Sequence, residues 1–315
     1  MPTLPARVLL DMPNWLGDLV HTLPALTRLI EGNARGRTTV LLPEAHARLA
    51  RLLGVDTIAR PNAGGFFWAR LHLHGRFDVI VTARHATRAK LLLCGAAPRL
   101  ALASRGRGAG LLGLTTFVVD RGRHQRHDLD LALRRLRLAP VDDSTWQFQL
   151  ATGPIASARA DLARLVGAGG IVALLPGSRA MPAKRYPVEG FAAVARKLAE
   201  CAVPTVVIVG PGQEDLAAAV ARGSTALAIS VAPLDEVAAM FAACAVVVGN
   251  DSGLTHLASV VGCPTIALFG PTDPGRTGPV GGAVVMQAPR RSLPEIQPAQ
   301  ITATVLALLA ARPSD

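Results

Sequence analysis

The amino-acid sequence predicts an α/β protein made of two Rossmann-like domains, and three observations lead to that prediction. Short apolar segments typical of buried strands alternate with longer segments that carry apolar residues at helical spacing. A stretch rich in Pro, Asp, Ser and Thr, Pro140–Ala156, interrupts the alternation near the middle of the chain. Hydrophobic residues make up 50% of the 315 residues but aromatic ones only 4%, a balance that suits parallel strands covered by helices.

The first half alternates strand and helix. Strands are predicted at Arg7–Asp11, Thr38–Leu42, Asp56–Ala59, Phe77–Thr82 and Arg99–Ala103, and helices at Asp18–Glu31, Glu44–Leu53, Ala86–Cys94 and His124–Leu138. Gly54 and Gly95 are expected to end the second and third of these helices, since glycine readily adopts the left-handed backbone of a helix C-terminus. Repeated strand-then-helix units indicate an open, mostly parallel sheet with right-handed crossovers.

The second half follows the same plan. Strands are predicted at Gly170–Leu175, Pro204–Val209, Ala245–Val248 and Pro264–Phe269, and helices at Val188–Glu200, Gln213–Arg222, Pro233–Ala243, Leu254–Val261 and Pro298–Ala311. We therefore expect two domains, 1–150 and 151–315, with a terminal helix that could pack back on the first. Ligands bind outside the carboxyl ends of the strands in such sheets, so two halves that face each other would form a cleft suited to two substrates.

Positive charge is concentrated in the first half. The net charge is +11, and residues 1–150 carry 21 Lys and Arg against 11 Asp and Glu, a balance of +10, which leaves +1 for residues 151–315. Nearly all of the excess is arginine, whose planar fork suits phosphate and carboxylate. An acidic partner is therefore expected at the first half: nucleic acid, or a phosphorylated lipid or sugar. A genome of high GC content, which inflates arginine usage, is the alternative explanation.

The cysteines and the N-terminus indicate the compartment. Cys94, Cys201, Cys244 and Cys263 are scattered in apolar surroundings without a CxxC pair, which is typical of buried thiols in a reducing compartment and argues against a zinc site. The sequence shows no signal peptide and no spanning helix. We expect a cytosolic protein that is at most peripheral to a membrane.

One stretch, Val246–His256, is the strongest candidate for a binding site. Its apolar strand leads through the polar turn Gly249–Gly253 into an apolar helix. A strand, a turn of small residues and a helix in succession present backbone N–H groups at the helix N-terminus, and such groups bind anions, phosphates above all. Asp251 or Ser252 could instead simply cap the helix.

Three further turns at strand ends carry side chains suited to chemistry. Asp18 opens the first helix and could act as a general base toward a hydroxyl, or serve only as its N-cap. The loop Pro176–Pro187 carries Lys184 and Arg185, two adjacent cations that could neutralise a diphosphate or lie in solvent. Glu214 could accept a hydrogen bond from a ribose hydroxyl or belong to ordinary helix-start chemistry.

Several motifs of other enzyme classes are missing. The chain has no GxxxxGK[ST] run of a P-loop NTPase, no GxGxxG after the first strand of either half, and no GxSxG elbow of a serine hydrolase. Nucleotide hydrolysis of that type, hydride transfer and serine hydrolysis are therefore disfavoured. His256 is the only histidine in the second half, and a lone helical histidine is more often structural than a ligand.

Taken together these turns are specific, and the chain resembles the family 9 glycosyltransferases, the ADP-heptose–lipopolysaccharide heptosyltransferases, over nearly its full length. The resemblance is carried by Asn14–Asp18 with Thr22–Leu26, Pro176–Ser178 with Lys184–Pro187, Gly210–Glu214, Gly249–His256, and Phe269–Thr272. The Asn-Trp-x-Gly-Asp form and the helix start Arg84–Lys90 are more similar to the second heptosyltransferase of the inner core than to the first.

The resemblance implies a GT-B fold, with two Rossmann-like domains whose parallel sheets face each other across a cleft. It implies an ADP-activated heptose bound by the second domain, an acceptor bound by the first, and inversion at the anomeric carbon without a metal or other cofactor. Asp18 matches the catalytic base of the family, Lys184 the lysine at the donor phosphates, and Glu214 a ribose-binding carboxylate. The other donor-binding residues that the resemblance implies are Ser178, Arg185, Asp251, Ser252, Gly253, Leu254 and His256.

The expected reaction is transfer of heptose to a hydroxyl of the lipopolysaccharide inner core, on a phosphorylated lipid A–core acceptor at the inner membrane surface. Arg84, Arg88 and Lys90 are candidate acceptor contacts, with a solvated helix face as the alternative. Nucleic acid is not expected as a partner, because one Tyr and three Trp offer no base-stacking platform. Two alternatives stay open: a family 9 enzyme with another acceptor, such as a protein or secondary metabolite, and a non-catalytic anion- or nucleic-acid-binding protein on the same fold.

Overall fold

A computed structural model of the chain describes residues 6–61, 65–106, 109, 111–141, 146–178, 181–231 and 233–312. The chain forms two compact units, Met1–Asp143 and Ser144–Asp315. Among the described residues, no helix combines the length and the apolar character needed to cross a bilayer.

The first unit is built on a parallel sheet. Its strands are β1 (Arg7–Asp11), β2 (Arg37–Leu42), β3 (Asp56–Ala59), β4 (Val79–Thr82), β5 (Leu100–Ser104) and β6 (Thr115–Phe117). They are hydrogen-bonded in the order β3-β2-β1-β4-β5-β6. Its helices are α1 (Leu16–Gly32), α2 (Glu44–Arg51), α3 (Gly65–His72), α4 (Thr87–Ala96) and α5 (Asp130–Arg135), and a 3-10 turn covers Gln125–His127.

The second unit repeats this plan. Its strands are β7 (Val172–Leu175), β8 (Thr205–Val209), β9 (Leu227–Ser230), β10 (Val246–Asn250), β11 (Thr265–Phe269) and β12 (Val284–Gln287), in the order β12-β11-β10-β7-β8-β9. Its helices are α6 (Thr152–Val166), α7 (Val188–Glu200), α8 (Glu214–Ala221), α9 (Leu234–Ala243), α10 (Gly253–Val260), α11 (Pro274–Thr277) and α12 (Pro298–Ala310), with 3-10 turns at Pro182–Lys184 and Leu293–Glu295. The terminal helix α12 packs against α7 of the same unit.

Both sheets have the doubly wound order, in which the direction of strand addition reverses once. The first strand of each unit pairs in parallel with the second and the fourth: β1 with β2 and β4, and β7 with β8 and β10. The reversal leaves a crevice at the carboxyl ends of β1 and β4, and another at those of β7 and β10, where ligands bind in open α/β sheets. The predicted α/β class with two Rossmann-like parallel sheets is confirmed.

Continuous apolar runs explain the central strands. Val8–Leu10 of β1 and Val246–Val248 of β10 are fully buried, because helices cover both faces of each sheet. The edge strands β9 and β12 are partly exposed, although each contains a short apolar run, Leu227–Ile229 and Val284–Met286. The sequence analysis missed both of these strands, together with the short strand β6.

The predicted helix His124–Leu138 is wrong. The segment is broken into a 3-10 turn and the short α5, and Arg137 adopts a left-handed backbone with φ 61°. Asp130 explains the break. Its buried carboxylate accepts a hydrogen bond from the Val141 N–H at 3.0 Å and lies 3.1 Å from His127 Nδ1, so the chain turns around this side chain.

Three helices, α3, α6 and the short α11, lie where none was predicted, and one cysteine is placed differently. Helix α6 begins within the predicted linker Pro140–Ala156, of which residues 142–145 lie outside the described residues; Pro154 falls in its first turn, where proline removes no helical hydrogen bond. Helix α3 has aromatic residues on both its packed and its exposed faces, so it lacks the apolar periodicity that marks a helix. Cys201 is exposed rather than buried.

Gly95 does not end α4 but lies inside it, against α3. A Cβ at this position would collide with the Phe66 carbonyl oxygen and lie 3.1 Å from Ala69 Cβ, so only glycine lets the two helices approach this closely. The helix ends instead at Ala96, and the C-cap residue Ala97 adopts the left-handed backbone with φ 45°.

We predict that Gly95→Ala destabilises the protein by about 1–3 kcal/mol, because α3 must move away from α4. Gly153→Ala on α6 is the matched control: no atom lies within 4 Å of its Cβ, and alanine is the better helix former by up to ~1 kcal/mol. Urea unfolding followed by circular dichroism measures both changes. Parental stability of the Gly95 variant would contradict the close packing.

Candidate functional site

A pocket of about 180 Å³ lies at the crevice of the first unit. Its walls come from the segment between β1 and α1, from α1 itself, from Ala83–Ala86 directly after β4, and from the residues around the 3-10 turn Gln125–His127. Two of the predicted site residues, Asp18 and Arg84, line it. The pocket therefore sits where a doubly wound sheet binds its ligand.

Asp18 is placed by the first turn of α1. Trp15 occupies the N-cap position, so the capping alternative for Asp18 is wrong. The half-buried Asp18 carboxylate accepts a hydrogen bond from Gln125 Nε2 at 2.9 Å. A carboxylate in this pocket can take a proton from a hydroxyl bound beside it.

Arg84 is held by a buried carboxylate that the sequence analysis missed. Asp11, the last residue of β1, is fully buried, and it pairs with Arg60 and, at 3.5 Å, with Arg84 Nη1. Thr82 Oγ1 also donates to this carboxylate, at 2.8 Å. Burial raises the pKa of Asp11, against the opposing effect of the two guanidinium groups. A charged residue that ends an apolar strand was the available sequence signal.

Arg60 connects this carboxylate to the loop that leads to Asp18. Its Nη1 donates to the Met12 carbonyl at 2.9 Å and its Nη2 to Asn14 Oδ1 at 2.8 Å. The Arg60 side chain is only 7% exposed, and burial lowers its pKa while the Asp11 carboxylate raises it. Arg60 therefore fixes the start of that loop. As one arginine among many, it carries no distinctive sequence signal.

The other predicted acceptor residues lie outside the pocket lining. Arg88 is exposed on α4, whereas Lys90 is 1% exposed and its Nζ lies near Gly106. The pocket instead contains His85 and Asp128. The sequence analysis missed Asp128 because it assigned that residue to an unbroken helix.

The second unit gathers a lysine, an aspartate and a histidine at the crevice of β7 and β10. Lys184 Nζ donates to Asp251 Oδ2 at 2.6 Å, and Thr272 Oγ1 donates to the same oxygen at 2.7 Å. The other oxygen of Asp251 lies 3.1 Å from His256 Nε2. Asp251 and His256 are buried, while the Lys184 side chain is 16% exposed, so the cation is the member of this cluster that reaches solvent.

Hydrogen bonds keep Asp251 ionised. Burial opposes its ionisation, but the bonds from His256, Lys184 and Thr272 hold the pKa of Asp251 well below its usual value. The carboxylate in turn fixes the ammonium group of Lys184 and the imidazole of His256. His256 and Asp251 thus hold each other in place, and contact of His256 with the donor stays a prediction.

Asn250 ties together the two loops that surround this cluster. It is fully buried, its Oδ1 accepts a hydrogen bond from the Tyr186 N–H, and its Nδ2 donates to the Pro176 carbonyl, both at 2.8 Å. Gly249 lets the turn pack tightly, because a Cβ there would lie 2.9 Å from Leu175 Cβ. The loop after β7, which carries Lys184, is thereby held beside the turn after β10.

The start of α10 presents backbone donors next to Asp251. Ser252 occupies the N-cap position, and its Oγ lies 3.2 Å from Thr255 Oγ1. The N–H groups of Gly253 and Leu254 belong to the first turn of the helix, where no helical carbonyl is available to them. These amides, the positive end of the helix dipole and Lys184 together can bind a phosphate group.

The remaining predicted donor residues surround this cluster less directly. Arg185 Nε donates to the carbonyl of the buried Ser178 at 2.8 Å. Glu214 is exposed at the start of α8, and hydrogen bonds from its own N–H, from Ser230 Oγ and from the Gly212 N–H lower its pKa. The bonds from its own N–H and from Gly212 are those of a helix start, whereas Ser230 belongs to β9. Contact of Glu214 with a ribose stays a prediction. Among the residues that the structure describes, no group of three or more His, Cys, Asp and Glu side chains is arranged to hold a metal ion.

Sequence comparison relates most of the chain to known proteins. Glycosyltransferase family 9 (heptosyltransferase) matches residues 70–300. The chain is 25% identical to lipooligosaccharide heptosyltransferase 2 of Haemophilus ducreyi, over 89% of this chain and 88% of that protein. It is 27% identical to lipopolysaccharide heptosyltransferase 1 of Escherichia coli K12, over 91% of this chain and 95% of that protein.

Structural comparison supports the fold. The structure of E. coli ADP-heptose lps heptosyltransferase II is similar with a TM-score of 0.84 at 21% sequence identity, over 96% of this chain and 98% of that chain. A likeness over nearly both whole chains supports the predicted GT-B class.

We predict that Asp251→Asn destabilises the protein at neutral pH by roughly 3 kcal/mol, because a buried cluster of hydrogen-bonded charges loses its anion. The pKa of Asp251 is lower in the folded than in the unfolded chain. Its stabilisation is therefore complete above the ordinary value of 3.8 and is lost as the pH falls below it.

Unfolding free energies measured from acid to neutral pH test this prediction. In the acid range, the unfolding free energy of the variant should change less with pH than that of the parent. Asp273→Asn is the control, since Asp273 is exposed and caps α11, where asparagine caps as well. If the Asp251 variant and the parent showed the same pH dependence in the acid range, the ionised Asp251 carboxylate would not be stabilising the cluster.

Proposed function

Because the chain belongs to glycosyltransferase family 9, the heptosyltransferase family, we propose that it transfers a heptose from ADP-heptose to a hydroxyl of the lipopolysaccharide inner core. Membership of the family makes the protein a glycosyltransferase, so a non-catalytic nucleic-acid-binding protein on the same fold is set aside. Two features favour transfer of the second heptose of the core. One is the sequence of Asn14–Asp18, and the other is the likeness to the heptosyltransferase 2 of H. ducreyi and the heptosyltransferase II of E. coli.

One observation carries the proposal: each unit has a chemically suited group at its own crevice. The first unit presents the Asp18 carboxylate in a pocket, and the second presents Lys184 beside the amides of α10. A carboxylate suits the acceptor, whose hydroxyl must lose a proton. A cation with amide donors suits the donor, whose diphosphate gains charge as it leaves.

The proposed reaction inverts the anomeric carbon in one displacement. The acceptor hydroxyl oxygen forms a bond to the anomeric carbon of the heptose as the bond from that carbon to the diphosphate oxygen breaks. The hydroxyl proton passes to the Asp18 carboxylate, and ADP leaves with the bonding electron pair. Since an aspartate is a weak base near neutral pH, the proton moves late, after the new bond has begun to form.

Lys184 and the start of α10 would stabilise the departing ADP. The Lys184 ammonium group has three N–H donors, so it can keep its bond to Asp251 while another donor contacts the diphosphate. Arg185, Ser178, Ser252 and the amides of Gly253 and Leu254 complete the proposed phosphate site. We expect transfer without a metal ion, and a reaction that survives a chelator would support this expectation.

Arg84 is the proposed contact to the anionic part of the acceptor. It lines the pocket with Asp18, and Asp11 holds its guanidinium from the side of the sheet. A phosphorylated lipid A–core acceptor at an anionic membrane surface would also suit the net charge of +10 in the first 150 residues. Another acceptor, such as a protein or secondary metabolite, remains the alternative, and mass-shift screening of acceptors with ADP-heptose separates the two.

We predict that Asp18→Asn lowers kcat by about 10²–10⁴-fold, the usual contribution of a positioned base, while the affinity for ADP-heptose is unchanged. Release of ADP with acceptor present measures turnover, and calorimetry measures donor binding. Glu31→Gln is the matched control, because this exposed residue lies in the last turn of the same helix. Wild-type turnover of the Asp18 variant would show that Asp18 is not the base of the reaction.

We predict that Lys184→Met weakens donor binding and lowers kcat by about 10²–10³-fold, since it removes a donor to developing charge. Lys197→Met is the matched control, because Lys197 lies exposed on α7 and pairs with Glu200. Unfolding measurements show whether the variant is intact, as Lys184 also pairs with Asp251. Unchanged binding and turnover in a folded variant would exclude Lys184 from the donor site.

A further inference from the structure

One face of the first unit, outside the pocket lining, exposes a cluster of large apolar side chains. On α3, Phe66, Phe67 and Leu71 are 37%, 81% and 80% exposed. Phe67 and Leu71 are four residues apart and so share one face of the helix. The opposite face of α3 packs into the core through Ala69. Exposed apolar residues are ordinary when scattered singly, but a contiguous group marks an interaction surface.

The apolar face continues onto α4. Gly95 of α4 lies against Phe66 and Ala69 of α3. One and two turns earlier, on the same helical stripe as Gly95, come Leu91, which is 40% exposed, and the exposed Arg88. We call the residues Phe66, Phe67, Arg70, Leu71, Arg88 and Leu91 the α3–α4 patch.

The sequence around the patch is almost free of acidic residues. Residues 57–119 contain 9 Lys and Arg but only one acidic residue, Asp78. That aspartate is buried and bound to Arg7 and Arg99, so its charge is compensated. Arg70 and Arg88 are exposed within the patch. The patch therefore combines exposed aromatic and leucine side chains with exposed arginine charge.

We propose that the α3–α4 patch docks the protein on an anionic phospholipid bilayer. The apolar side chains enter the boundary between headgroups and acyl chains, and Arg70 and Arg88 bind lipid phosphates. Charge complementarity selects this occupant over a second copy of the chain. A symmetric dimer through the patch would place one cationic surface against an identical one.

The α3–α4 patch lies close to the pocket that contains Asp18. Ala86 lines the pocket, and α4 begins at the next residue and is about 15 Å long. Docking through α3 and α4 would hold the pocket of Asp18 within one short helix of the bilayer surface. This inference concerns membrane attachment and holds whatever sugar the enzyme transfers.

Vesicle co-sedimentation of the full chain tests the proposal without requiring activity. The protein is mixed with vesicles of phosphatidylcholine alone or with phosphatidylglycerol added, at low and high salt. We expect binding to the anionic vesicles that weakens with salt. The double variant F67S/L71S should bind at least about tenfold more weakly, because it loses buried apolar area.

Matched variants separate the contributions. Val118→Ser with Leu165→Ser removes two apolar side chains that are 53% and 58% exposed elsewhere, and should bind as the parent does. Arg70→Gln with Arg88→Gln should abolish the preference for phosphatidylglycerol. All variants should retain the parental thermal unfolding, and F67S/L71S and the Val118 and Leu165 variant should also retain the parental turnover of a water-soluble acceptor.

Three results would overturn the proposal: no preference of the parent for anionic vesicles, equal vesicle binding by F67S/L71S and the parent, or a change in oligomeric state of F67S/L71S with vesicle binding intact. A failure to transfer heptose would count against the proposed function alone. Vesicle binding and transfer are read separately, so either idea can fail without the other.

Discussion

Parallel pairing of the strands decides where this protein can carry chemistry. The central strands are buried on both faces, so a polar side chain can emerge only where a strand ends. In each unit the last residue of a central strand is a fully buried polar residue, Asp11 in β1 and Asn250 in β10. Neither lines the surface. Each is hydrogen-bonded to neighbouring loops and holds them in place: Asp11 fixes Arg60 and Arg84, and Asn250 fixes the loop that leads to Lys184.

The two crevices share one arrangement, a buried carboxylate that binds cations, but they present different charged groups to solvent. In the first unit a buried anion holds two arginines, and the group left for a substrate is the Asp18 carboxylate together with Arg84. In the second, a buried anion holds one lysine and one histidine, and the exposed member is the lysine. In both units a buried carboxylate fixes the position of a cation that is partly exposed to solvent. Preorganisation of this kind is what electrostatic catalysis requires.

Much of the fold follows from the sequence, because buried parallel strands need uninterrupted apolar runs. β1, β3 and α7 lie where the sequence predicted them, residue for residue. The edge strands β9 and β12 were missed, because their apolar runs, Leu227–Ile229 and Val284–Met286, span only three residues each. The helix predicted across His124–Leu138 failed for another reason. Helical periodicity gives no warning that the Asp130 carboxylate binds the N–H of Val141, eleven residues later.

The candidate site was predictable only where its residues are close in sequence or stand in a turn of unusual composition. The turn that carries Asp251 and His256 met that condition, and the structure joins the pair directly. Arg60 and Gln125 did not, because their contacts with Asn14 and Asp18 link residues that are 46 and 107 positions apart. Sequence pattern gives no sign of such contacts. Lys90 shows the converse limit, since a cation on a predicted helix proved to be 1% exposed.

The scarcity of lysine has a practical consequence. Of 33 Lys and Arg only Lys90, Lys184 and Lys197 are lysines, and their environments differ sharply. Lys90 is sequestered at 1% exposure, the Lys184 side chain is 16% exposed, and that of Lys197 is 60% exposed. Among the lysines, an amine-reactive reagent would thus meet one freely accessible side chain, Lys197, and one hindered side chain, Lys184, at the proposed donor site. Acylation of Lys184 relative to that of Lys197, measured by mass spectrometry, would report how much of the proposed donor site is occupied. No engineered label is needed.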